Sequence, residues 1–78
     1  MQLKYTKLDM FDYEVRTLEL NHVDIQIPIE SQSDVLIADI ASELTSSDGH
    51  IYLENNYYAM RQMVVSPGTL HIFAEQTN

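Results

Sequence analysis

The chain has 78 residues, no cysteine, and twelve carboxylates against four bases, a formal net charge of −8 at neutral pH. That length sets a single thin domain, residues 1–78, with room for one sheet covered on one face but not for a deep cofactor pocket. The lack of cysteine excludes disulfides and thiolate zinc sites. Such a negative field disfavours direct binding to nucleic acid or an anionic membrane and suits a protein partner with a basic surface.

The acids are unevenly placed. Between Leu8 and Met60 stand eleven carboxylates and one base, Arg16. No apolar run approaches the ~18–20 residues of a membrane span, and Met1-Gln2-Leu3-Lys4-Tyr5 lacks the apolar stretch of a signal peptide. A cytoplasmic protein is the expectation.

In chain order, residues 1–12 hint at an extra strand or arm through Leu3 and Tyr5, half-charged by Lys4, Lys7 and Asp9. Residues 13–20 are strand-like, but Tyr13 and Val15 alternate on one parity and Leu18 and Leu20 on the other, the slip of a bulge. Asn21-His22 then turns the chain into a hairpin. Val23-Asp24-Ile25-Gln26-Ile27-Pro28-Ile29-Glu30 alternates apolar and polar over eight residues, the period of a half-buried strand. Pro28 cannot donate to a ladder, so this strand lies at a sheet edge or ends nearby.

A helix follows over about residues 33–46. Ser33 suits the N-cap and Asp34 the first turn, where free N–H groups favour negative charge. Leu36, Ile37, Ile40, Ala41 and Leu44 form one apolar stripe, with Asp39 and Glu43 off it on a solvent face. Ser47-Asp48-Gly49 ends the helix. His50-Ile51-Tyr52-Leu53 reads as a strand, Glu54-Asn55-Asn56 as a turn and Tyr57-Tyr58-Ala59-Met60 as a short return strand. Ser66-Pro67-Gly68 is a tight turn, and residues 69–75 alternate Leu70, Ile72 and Ala74 against His71 and Phe73.

The order hairpin, helix, strand, short strand, tight turn, final strand resembles the β-grasp superfold of ubiquitin-like and sulfur-carrier proteins over residues 13–75. The nearest likeness is Val65-Ser66-Pro67-Gly68-Thr69-Leu70-His71-Ile72-Phe73. The resemblance implies an α+β fold of ββαββ type: a small mixed sheet of four to five strands with one helix packed across it. In that fold the final strand lies beside the first and the second lies at an edge. Carriers of that family end in Gly-Gly, whereas this sequence reads Glu75-Gln76-Thr77-Asn78, so carrier chemistry is not expected. What remains is a rigid adaptor with a free sheet face.

Little points to catalysis. His22, His50 and His71 are scattered, no segment has the spacing of a calcium loop, and two glycines cannot make a phosphate-cradling loop. The serines sit where caps and turns explain them, Asp9 and Asp12 show no sign of burial, and no cofactor is implied. The bland reading makes His22 a turn residue and His71 an exposed strand residue.

Two expectations for function follow. The first is a non-enzymatic acidic module that occupies a basic, nucleic-acid-binding surface of a larger complex through Asp34, Asp39, Glu43, Asp48 and Glu54. Small acidic phage and mobile-element proteins inhibit restriction or CRISPR complexes in this way, as DNA mimics. The second is an assembly adaptor or homodimer that uses an edge strand at residues 25–29 and a patch of Tyr52, Tyr57, Tyr58, Met60 and Met63, with Arg61 as anchor.

Overall fold

The computed structural model describes residue 8 and residues 11–46 and 48–77. Their order is β1 (Glu14–Glu19), β2 (His22–Pro28), α1 (Asp34–Leu44), β3 (His50–Leu53), β4 (Asn56–Ser66) and β5 (Thr69–Gln76). The strands form one sheet in the order β1-β2-β5-β4-β3, and every neighbouring pair is antiparallel. The α+β class and the single helix expected from the sequence are therefore present.

Alternation decides what each strand buries. Val23, Ile25 and Ile27 of β2, Ile51 and Leu53 of β3, Tyr58 of β4 and Leu70, Ile72 and Ala74 of β5 meet Ile37, Ile40 and Leu44 of α1 in one core, with Leu8 also inside. Ile25, Ile27, Ile51, Leu70 and Ile72 are almost wholly sealed from water. Burying each such side chain stabilises by about 1.5–3 kcal/mol. The Ser33 Oγ accepts from the Leu36 N–H at 3.4 Å, as an N-cap should. The helix stops at Leu44, two residues short of the expected end. Thr45 is drawn into an extended conformation and bridges Ile51 of β3, while its N–H donates back to the Ala41 carbonyl.

Three connections are tight turns. Asn21 takes a positive φ of 64° between β1 and β2, and a bulge follows Thr17, where the sequence phase slips. Glu54 (φ 49°) and Asn55 (φ 72°) join β3 to β4, and Pro67 with Gly68 (φ 82°) joins β4 to β5.

Several finer expectations are corrected. The five strands fall within the expected four to five, but among the described residues the sheet is antiparallel rather than mixed and the order is ββαβββ, with β2 rather than β1 beside the final strand. The ββαββ arrangement implied by the resemblance is thus not reproduced in this strand order. The physical reason lies in β1: its six residues are all exposed, and Glu14, Arg16 and Glu19 could not occupy a central position. Residues 25–29 are not an edge, since β2 pairs on both sides. Pro28 is accommodated because it closes β2, two residues beyond Gln26, the last partner of β1. The short return strand proves to be eleven residues long. Of the N-terminal arm, residues 1–7, 9 and 10 lie outside the described residues, as do Ser47 of the expected helix stop and Asn78.

Candidate functional site

Among the described residues, the helix covers one face of the sheet and no element covers the other. Register places Glu14 and Arg16 of β1, Asp24 and Gln26 of β2, His71 and Phe73 of β5 and Gln62 and Val64 of β4 together on the uncovered face. Toward β3 the same face carries His50, Tyr52, Tyr57 and Arg61. The Tyr57 ring lies 4.9 Å from Tyr52 and 6.1 Å, edge-on, from His50. A bulge between Met60 and Gln62 sets Arg61 against Glu75, its Nη2 3.1 Å from Oε1, and Glu75 also faces His22 at 3.8 Å. Both described arginines and all three histidines thus share the uncovered face.

At its centre lies Asp24, the one buried charged side chain among the described residues, 3% exposed. The His71 Nδ1 is 3.2 Å from each Asp24 carboxylate oxygen, and the Gln26 amide donates to Oδ2 at 3.1 Å. Phe73 stacks on the imidazole with centroids 6.1 Å apart. The cluster bridges β2 and β5 and satisfies a carboxylate that would otherwise be costly to bury. A carboxylate on Nδ1 is the arrangement that orients a catalytic histidine. Here the nearest hydroxyl on the strand, Thr69, is two residues away, about 6.6 Å along β5 and beyond hydrogen-bond reach. The cluster ties β2 to β5 through these contacts. Beside it a cleft of about 280 Å³ opens between Asp12, Tyr13 and Glu14 and the sheet residues Gln26, Pro28 and Thr69.

The sequence-predicted site residues are dispersed. Asp39 and Glu43 are both exposed and lie one helical turn apart, about 6 Å along the axis. Asp34 is exposed on the opposite flank of α1, since successive residues rotate by about 100°. Asp48 and Glu54 sit in the loops before and after β3. Tyr57 is exposed, but Tyr58 is buried in the core under the helix. Neighbours on a strand point to opposite faces, so the expected tyrosine–methionine patch is split: Tyr52 and Tyr57 outside, Tyr58 and Met60 toward the core. His71, read as an exposed strand residue, is instead half-buried against Asp24. Asp24 was missed because the alternation of β2 marks it only as polar-face; its burial follows from the cross-strand partner, which the local pattern does not carry.

The Ser46 hydroxyl donates to the fully exposed Asp48 carboxylate, and with His50 nearby it holds that carboxyl below its ordinary value. Among the described residues no group of three or more His, Asp and Glu is placed to hold a metal ion, and no helix is long and apolar enough to cross a membrane. Comparison with family models, curated proteins and solved structures yields no match for this chain.

Proposed function

We propose that this protein is a non-enzymatic binding module whose helix side occupies a basic, nucleic-acid-binding surface of a larger protein complex. The observation that carries the reading is the segregation of charge. Among the described residues, the exposed side of α1 presents Asp39 and Glu43, with Asp34 on its other flank, and no base, while Arg16, Arg61, His22 and His71 lie on the opposite face of the sheet; Asp48 in the loop after the helix is paired with His50 at 3.3 Å. A segregated field steers a basic partner to one side of the molecule and orients it before contact. The Asp39–Glu43 pair is the centre of this surface, and it is rigid because Ile37, Ile40 and Leu44 anchor the same helix in the core. An inhibitor of the DNA-mimic kind, such as those directed at CRISPR complexes, works through a surface of this character.

The test sets the protein against a variant carrying D39K and E43K, its fold checked by circular dichroism. Proteins of the native host captured at about 0.1 M salt should be released at about 1 M, where the screening length falls to about 3 Å. They should be displaced by duplex DNA and absent from the variant. A partner that stays bound to the charge-reversed helix refutes the reading.

A further inference from the structure

The sheet has a third, partial edge. β5 pairs with β4 from Tyr58 to Ser66, but β3 pairs with it only from Asn56 to Ala59. Among the described residues, no strand therefore covers the β3 side of residues 61–66. Natural sheets blunt such edges with charge, bulges, short length or a covering segment. The other two edges are blunted in these ways. β1 carries Glu14, Arg16 and Glu19 and a bulge, while β3 has four residues and is bridged on its outer side by Thr45.

Among the described residues no segment covers residues 62–66, Gln-Met-Val-Val-Ser, and the bulge of β4 falls just before them, between Met60 and Gln62. They contain no charge and no proline, and Met63, Val64 and Val65 are each 38–39% exposed. The chain bears a net charge of −8, so two copies repel over most of their surfaces. Along this stretch they meet without a carboxylate, and the nearby Arg61 is already engaged by Glu75.

We infer that residues 62–66 of β4 pair antiparallel with the same residues of a second copy, making a two-fold dimer with one continuous ten-stranded sheet. In antiparallel pairing, directly opposed residues point to the same face. A two-fold axis perpendicular to the sheet must then pass midway between one residue and its own copy. Centring it on Val64 sets Val64 against Val64 on the uncovered face and Met63 against the second copy's Val65 on the helix side. Gln62 meets the second copy's Ser66. Apolar meets apolar and polar meets polar, and the register ends where Pro67 could no longer donate. A perpendicular two-fold keeps both helices on one side of the joined sheet. The inference is independent of what the helix side binds.

The chain has no cysteine, so symmetry can be read by single thiols. In V64C the two thiols face each other across Cα atoms about 4.5–5.5 Å apart, within disulfide range. In V65C they lie on a diagonal of about 7–8 Å. Mild oxidation should convert V64C to a covalent dimer at least ten times faster than V65C. Sedimentation equilibrium at high micromolar concentration should give about 18 kDa, twice the chain's 9.0 kDa. V64K should give a folded monomer, and V15K on the β1 edge should remain a dimer. A monomeric wild type, equal oxidation of the two cysteine variants, or dissociation by V15K but not V64K would each overturn the inference.

Discussion

At the scale of single residues, the arrangement around Asp24 is the most exacting in the molecule. Its carboxylate has left water and is held by the His71 Nδ1 and the Gln26 amide. Removing one partner of a buried polar group leaves a desolvation penalty of about 1–3 kcal/mol. His71→Ala should therefore destabilise by that amount in urea unfolding. Adding Asp24→Asn should return part of the loss, because a neutral amide tolerates the vacated site better than an anion. A coupling of zero between the two substitutions would mean that the imidazole acts only by packing against Phe73. The sequence disclosed the ingredients of this cluster, an aspartate on the polar parity of β2 and a histidine on that of β5. It did not disclose their meeting, because a contact across 47 residues depends on which strands become neighbours.

Elements were legible wherever local chemistry alone fixes them. Ser33 caps α1, the apolar stripe faces the core, and Pro67-Gly68 turns the chain as their dihedral preferences require. The β3–β4 turn is a different case. Both of its central residues, Glu54 and Asn55, have positive φ, the two-residue type I′ geometry that favours Asn-Gly. Glutamate in the left-handed region costs roughly 1–2 kcal/mol relative to a residue that visits it readily. The double substitution Glu54→Asn and Asn55→Gly should thus stabilise the hairpin by about 1 kcal/mol, a rise in melting temperature of about 4–8 °C for a domain of this size. Gly68→Ala should do the reverse by a similar amount. No atom lies within 4 Å of the Cβ it would add, so backbone strain at φ 82° is the whole of the effect. If both variants melt with the wild type, these turns relax at no cost and the positive dihedrals store no strain. The length of β4 escaped the sequence reading for a related reason. Its later residues lie on an unpaired edge with both faces half-wet, so the inside–outside alternation that marks a strand is faint there.

At the scale of the whole molecule, topology was the part least available from sequence. The same string of strands and one helix is compatible with a mixed sheet or an antiparallel one, and only strand order decides which residues share a surface. That order gathers the described arginines and the histidines on one face, while strand alternation splits Tyr57 from Tyr58 and helical rotation separates Asp34 from Asp39 and Glu43. It also bears on how the molecule responds to salt. A net charge of −8 sits on a body measuring 37 × 28 × 21 Å. At about 0.01 M salt the screening length, about 30 Å, spans the molecule, and every carboxylate feels the others. The favourable pair Arg61–Glu75 is exposed and contributes at most about 1 kcal/mol in return. Self-repulsion therefore dominates, and thermal stability should climb as sodium chloride is added. Most of the rise should come below about 0.15 M, where the screening length has already shrunk to about 8 Å. A melting temperature that falls over this range would mean that attractive pairs outweigh repulsion, contrary to the charge segregation. The same addition acts in opposite directions on the two proposed surfaces. Screening removes the repulsion that resists pairing of β4 edges, so dimerisation should strengthen, while capture of a basic partner by the helix side should weaken. Sedimentation and partner retention followed across one salt series would separate the two, since an apolar edge and a carboxylate face cannot share a salt dependence.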